Sequence, residues 1–425
     1  MKKQQFFKVL VCSMALCTVF SLCGCGDSDS NESSSQTKAP TTVSASDVSS
    51  SDSGSTAAES SPEESTEEST LVESSAEVVS KEEYKDPEYT LGTIVASETY
   101  PDFTWELDKN GLMVISGNGD IFDFGSSRFD ASPWYEYRNS IKTVIIKKGI
   151  RRIGKHLLTE CESLDSIIIP DSVISIGEFA FSECSSLKSI TIPDSVTSIG
   201  KFAFDKCSSL KSITLSNSLK SIDSSCFGGC TDLEYVTIPD SVEKIGDCAF
   251  YECTNLKGIN IPNSVEKIGG DVFYKCANLT NIIIPDSVSI IEERTFALCT
   301  SLNSISFGNN VTSIGKFAFG NCKSLTSITI PDSVTSIGDS AFNGCESITS
   351  IDIPDSVTSI GYHAFTGCTK ITDITIPSGV TSIKDNVFNG WTSSQTIYIK
   401  GKSEAPSEWN KGWDNECDAK IVWNA

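Results

Sequence analysis

From about Ile141 to Ile399 the chain repeats one pattern at a fixed step: P-D-S-V-T-S-I-G-x-x-A-F-x-x-C-x-x-L-x-x-I-x-I. Pro170, Pro193, Pro239, Pro262, Pro285, Pro331, Pro354 and Pro377 fall on one series spaced by 23 residues, and Ser216 and Gly308 fill its two gaps. The cysteines Cys161, Cys184, Cys207, Cys230, Cys253, Cys276, Cys299, Cys322, Cys345 and Cys368 keep the same step without a miss. No insertion or deletion interrupts the register. A period of this size marks a solenoid, in which each repeat buries its apolar face only against its neighbours.

One repeat, Pro193 to Leu215, reads as one coil. Pro193-Asp194-Ser195 is a turn, since proline presets φ and Asp or Ser bonds nearby backbone. Val196 and Ile199 bracket a short extended piece ending at Gly200, where a backbone angle that a Cβ would forbid is expected. Lys201 to Asp205 has room for about one helical turn, with Ala203 and Phe204 pointing inward. After Cys207, Leu210 to Leu215 alternates as a strand. Stacking places these strands in one parallel sheet, about 4.8 Å apart.

The repeat resembles the BspA-like leucine-rich repeat family, with its I-P-x-S-V-x-x-I-G-x-x-A-F-x-x-C-x-x-L-x-x-I signature over about 260 residues. The resemblance implies a β-rich repeat solenoid with short helical turns: a leucine-rich-repeat rod of about eleven such coils, capped at both ends. It also implies a bacterial cell-surface protein acting in adhesion or host contact, with no shared catalytic residues. Taken together, residues 141–400 are expected to form the solenoid, 87–140 a β-rich N-terminal cap segment and 401–425 a C-terminal cap.

The N-terminus supplies an address. Lys2, Lys3 and Lys8 precede an apolar run from about Val9 to Leu22, too short to span a bilayer comfortably. Leu22-Cys23-Gly24-Cys25 resembles a bacterial lipobox. Residues 1–24 therefore read as a lipoprotein signal peptide, with Cys25 as the acylated N-terminus. An ordinary cleavage site that frees the protein is the alternative. Residues 25–86 read as a disordered acidic tether rich in Ser, Thr and Glu. Between Gly26 and Thr90 lie 16 acidic and 3 basic residues, a net of −13 within a chain total of −23. Such acidity, with no basic stripe, argues against nucleic acid and against electrostatic binding to anionic membranes. The lipid anchor is the expected membrane contact.

All six tryptophans, Trp105, Trp134, Trp391, Trp409, Trp413 and Trp423, avoid the middle coils. Their placement suits caps over an exposed solenoid end better than a sugar-stacking patch, although Phe122 to Tyr137 keeps that alternative open. Asp108-Lys109-Asn110-Gly111 signals a hairpin. The cysteine ladder reads as buried free thiols acting as small hydrophobes, because translation-related side chains point the same way. Cys226, Cys248 and Cys417 stand off the ladder and leave disulfides open. His156 and His363 share one repeat column nine coils apart, roughly 43 Å by strand spacing. They cannot share a metal or a proton relay, and the pattern calls for no cofactor.

One surface remains for binding. The strand column Thr191, Thr214, Thr237 and the preceding Lys188, Lys211, Lys257 are expected to face outward as a hydroxyl-lined, ligand-facing strip. The expected partner is an extracellular protein or glycan, bound without catalysis. A spacer or coat component with no specific ligand is the alternative reading. Chemistry or glycan binding in the N-terminal segment is the remote one.

Overall fold

The structure is a computed structural model that describes residues 87–127 and 130–425. The expected signal peptide, Cys25 and the expected tether lie outside the described residues.

The repeats form a β-solenoid of about twelve turns. Two parallel ladders run along it. The first contains Ser166–Ile168, Ser189–Thr191, Ser212–Thr214, Tyr235–Thr237 and Gly258–Asn260, and continues to Asp373–Ile376 and Thr396–Ile399. The second contains Ile150–Ile153, Ser175–Ile176 and Ser198–Ile199, and continues to Ser382–Ile383. Register is kept residue for residue: Ser212 pairs with Ser189, Ile213 with Ile190 and Thr214 with Thr191. Each Pro-Asp-Ser-Val segment is closed by an N–H to C=O bond from its fourth residue to its first, such as Val196 to Pro193 at 3.0 Å. In most coils, though not at Ser195, the serine of that turn ties coils together. Ser241, Ser264 and Ser356 each donate to a carbonyl one coil earlier, at 2.7 Å.

The piece expected to be helical is not helical. In Lys201–Cys207 the amide N–H groups alternate. Those of Phe202, Phe204 and Lys206 donate to Ser224, Cys226 and Gly228 in the next coil, while Ala203, Asp205 and Cys207 bond within their own coil. This alternation satisfies the backbone in two directions at once. It requires left-handed residues at Phe202 (φ 58°) and Lys206 (φ 56°), and the two columns to which they belong have positive φ in every coil. Gly200, by contrast, is not left-handed. A Cβ there would lie 2.6 Å from the Glu178 amide nitrogen of the preceding coil, so close stacking selects the glycine. Among the described residues the helical element is a 3-10 turn, Tyr135–Ser140.

The core follows from the columns. Phe181, Phe204, Phe227, Phe250, Phe273, Phe296, Phe319, Phe342 and Phe365 are fully buried. Their rings stack along the axis at 5.2–5.8 Å between centroids. Charges follow the same step: Lys155–Glu178, Glu183–Lys206, Lys220–Glu243, Glu252–Lys275 and Lys323–Glu346 all bridge adjacent coils. Each exposed pair contributes about 0–1 kcal/mol. A slipped register would lose these pairings together.

Both ends are closed by aromatic residues. Strands β1 (Ile94–Thr99), β2 (Phe103–Asp108) and β3 (Leu112–Gly117) form an antiparallel meander whose last strand joins Thr143–Ile146 in parallel. The expected hairpin lies between β2 and β3. There Asp108 accepts bonds from the amides of Gly92, Asn110 and Leu112. Burial pushes its carboxyl pKa up, but these donors outweigh burial and hold it below the ordinary value. Trp105, Trp134, Trp391, Trp409 and Trp413 are buried, while Phe122 and Tyr137 stay exposed. At the far end Lys420–Trp423 pairs in parallel with Thr396–Ile399. The terminal segment thus adds its own turn, which brings the count above eleven.

Candidate binding face

The first ladder presents alternate residues to solvent because a strand sends successive side chains to opposite sides. Ile190, Ile213, Val236 and Ile282 point into the core, and Thr191, Thr214, Thr237, Asn260 and Ser306 are exposed between coils. The three threonines expected to face a ligand therefore lie on one strip. Lys188, Lys211 and Lys257 are exposed beside them. Two of these lysines already have partners: Lys188 Nζ lies 2.5 Å from Asp165 and Lys257 Nζ 2.6 Å from Glu234. The Lys257 bond, with its charge, holds the Glu234 carboxyl below its ordinary pKa, and Lys211 adds to that. The strip is consequently closer to neutral than its lysines suggest.

Two residues of the strip stand out that column reading passed over. Tyr235 replaces a serine and is 61 % exposed, and Ile283 replaces a threonine and is 67 % exposed. The Tyr235 ring leans toward Gly258 in the next coil, where an added Cβ would lie 3.6 Å from the ring, and the Lys257 ammonium sits 5.8 Å from the ring centroid. The sequence signal was a double break in the serine column, Tyr235 followed by Gly258.

The remaining reactive groups are built into the scaffold. From Cys184 to Cys368 each ladder thiol donates to the carbonyl of the Phe column one coil back, as Cys276 Sγ does to Phe250 at 3.2 Å. Trp391 takes over the cysteine position, and its indole N–H makes the same bond to Phe365 at 3.0 Å. Burial pushes the thiol pKa of Cys184, Cys276 and Cys345 well above the ordinary value. Cys226 and Cys417 are free thiols as well, and Cys248 is buried. The histidines repeat one motif. Thr159 Oγ1 donates to the Phe179 carbonyl at 2.7 Å, so the His156 Nδ1–H, 3.2 Å away, must be the donor to Thr159. His363, Thr366 and the Asn386 carbonyl repeat the arrangement. Burial lowers both imidazole pKa values. A cleft of ≈ 280 Å³ on the second ladder is lined by Arg152, Lys155, Ser175, Glu178, Ser198 and Asp223. Its cations are paired with Asp123 and Glu178. Among the described residues no group of His, Cys, Asp or Glu converges as a metal site. Nor is any helix there long and apolar enough to cross a membrane.

Parallel coils of one fixed length, with a thiol, a phenylalanine and a leucine in register, define a leucine-rich-repeat solenoid. The profile of the BspA type leucine rich repeat region matches residues 132–250, 220–345 and 312–406, and the chain belongs to that family. No curated protein matches the sequence. Solved structures similar to the chain include a leucine-rich repeat protein from Bacteroides ovatus, 26 % identical over 66 % of this chain and 95 % of that one, TM-score 0.37. A leucine rich cell surface protein from Faecalibacterium prausnitzii is 27 % identical over 66 % and 94 %, TM-score 0.37. The pneumococcal vaccine antigen PcpA is 18 % identical over 78 % and 99 %, TM-score 0.48.

Proposed function

We propose that this chain is a non-catalytic binding protein of the cell surface, lipid-anchored through Cys25, whose first-ladder face contacts an extracellular protein or glycan. The observation that carries this reading is the pair Tyr235 and Ile283, large side chains left 61 % and 67 % exposed, the most exposed large hydrophobics of a strip made mostly of hydroxyl, amide and charged residues. Thr191, Thr214 and Thr237 supply hydrogen bonds around them. Lys188, Lys211 and Lys257 form a rim whose contribution is limited by the ion pairs already made. Apolar anchors inside a polar rim are how interfaces concentrate binding energy. Many copies on one cell would add avidity to a weak single contact.

The test is a binding screen of the full chain, with reductant present, against immobilised extracellular matrix proteins and a glycan array. Two variants serve as controls: Lys188, Lys211 and Lys257 changed to Ser, and Tyr235→Ser with Ile283→Thr. The proposal expects a ligand whose binding is lost in the second variant and reduced in the first. Absence of any ligand for a folded sample at high coating density would replace it with the spacer reading.

A further inference from the structure

The first-ladder face changes character along the axis. Its N-terminal part carries Lys188 and Lys257, each held by a carboxylate of the neighbouring coil, and Lys211, which makes no ion pair among the described residues. Its middle carries Tyr235 and Ile283, with the exposed amides of Asn260 and Asn281 between them. Its C-terminal part carries Asp352 and Asp373, both exposed. Among the described residues neither is within ion-pair distance of a lysine or arginine, and Thr372 is the side chain that bonds Asp373, at 2.9 Å. The strand spacing puts Ile283 about 10 Å from Tyr235 along the axis, and Asp352 and Asp373 about 15 and 20 Å beyond Ile283. Residues 87–425 contain 27 basic and 41 acidic residues, a net of −14.

We propose that this face takes a cationic protein segment: two apolar side chains seat on Tyr235 and Ile283, and a Lys or Arg downstream reaches Asp352 and Asp373. The inference rests on the binding reading above and names the partner's chemistry. A protein is favoured over a glycan because a bare aliphatic such as Ile283 offers nothing to a sugar hydroxyl but fits an apolar side chain. A cation is favoured because Asp352 and Asp373 stand without an ion pair on the part of the face beyond Ile283, while the one lysine of the strip without an ion pair, Lys211, lies before Tyr235, and because the net charge steers positive partners toward it. Burial of the two anchors supplies most of the affinity. The exposed carboxylates set orientation and a salt-sensitive on-rate.

The experiment is selection of a displayed random peptide library on the immobilised full chain, with the strongest peptide then synthesised and titrated. The proposal expects selected peptides to be net positive and to carry paired aliphatic or aromatic residues. It expects Tyr235→Ser with Ile283→Thr to weaken binding about tenfold or more. Asp352→Asn with Asp373→Asn, nearly isosteric and exposed, should weaken it several-fold at low salt and much less at high salt. Matching melting curves show that each variant is folded. Neutral or acidic selected peptides, or a salt-independent affinity unchanged in the Asn variant, overturn the proposal. If glycan ligands depend on Tyr235 and Ile283 while cationic peptides do not, the partner assignment falls and the binding face stands. If no ligand of any class responds to these substitutions, both fall.

Discussion

Substituting Phe273 by alanine should cut the solenoid at its centre. The ring is fully buried and stacks 5.8 Å from Phe250 and 5.4 Å from Phe296. Its backbone keeps its bonds: the N–H donates to Thr295 and the carbonyl accepts from the Cys299 thiol. The loss is therefore one of packing. Removing a buried phenyl group costs about 3–5 kcal/mol, and the two stacking contacts place this site in the upper part of that range. With a urea m-value of about 3 kcal/mol/M, the midpoint should fall by about 1.3–1.7 M. Coupling between coils is nearest-neighbour, so hydrogen exchange should rise first in the coils of Gly258–Asn260 and Asn281–Ile283. The same change at Phe388, beside Trp391 and Trp413, should loosen only the C-terminal turns. A loss below about 1 kcal/mol for Phe273→Ala, or exchange rising equally along the chain, would refute stacked-coil packing as the source of stability.

Three further outcomes follow from the same geometry. In the native state a thiol reagent should modify half-buried Cys417 first, and the ladder thiols only after unfolding; rapid labelling of Cys276 or Cys299 would contradict their burial. Burial pushes the Asp205 carboxyl up to about 6, with Lys206 opposing the shift. The fold therefore holds a proton that the unfolded chain has already released. That favourable contribution is full below about pH 4 and is lost as pH rises through about 6. Asp205→Asn should accordingly stabilise the protein at pH 7 by on the order of 1 kcal/mol, allowing for solvent screening, and have no effect near pH 3 by urea titration. Leu298 has φ 62° in a column where Gly229, Gly344, Gly367 and Gly390 also stand. Leu298→Gly should stay within about 0.5 kcal/mol of the parent by thermal melting, whereas Leu298→Val, β-branched at positive φ, should cost about 1–2 kcal/mol.

Period reasoning reached the architecture because a column averages over ten or more copies. The proline turn, the buried Phe and Cys columns and the exposed threonines are all properties that most coils share. It misjudged Lys201–Asp205 for a physical reason. A pentapeptide with Ala and Phe facing inward is compatible with one helical turn, and only the need to bond the next coil forces Phe202 and Lys206 into the left-handed region. Glycines at 229, 344, 367 and 390 were the available signal, and non-glycine residues elsewhere in that column masked it. Gly200 was read as a matter of backbone angle, but the constraint is the approach of the preceding coil, which no single repeat reveals. The binding face was legible as a strip. Its anchors were not, because Tyr235 and Ile283 are departures from their columns, and a consensus suppresses departures. The lysines drew attention for their charge, yet the carboxylates of Asp165 and Glu234 one coil earlier neutralise two of them.

The central claim is that contact with the partner occurs on the first-ladder face, and hydrogen–deuterium exchange of the full chain with and without a ligand from the screen tests it most directly. The account predicts protection along the first ladder between Ser189–Thr191 and Asp373–Ile376, strongest at Tyr235–Thr237, Gly258–Asn260 and Asn281–Ile283, the strands around Tyr235 and Ile283. Protection on the Phe202–Lys206 side of the coils, or in the aromatic ends around Phe122 and Trp409, would contradict it.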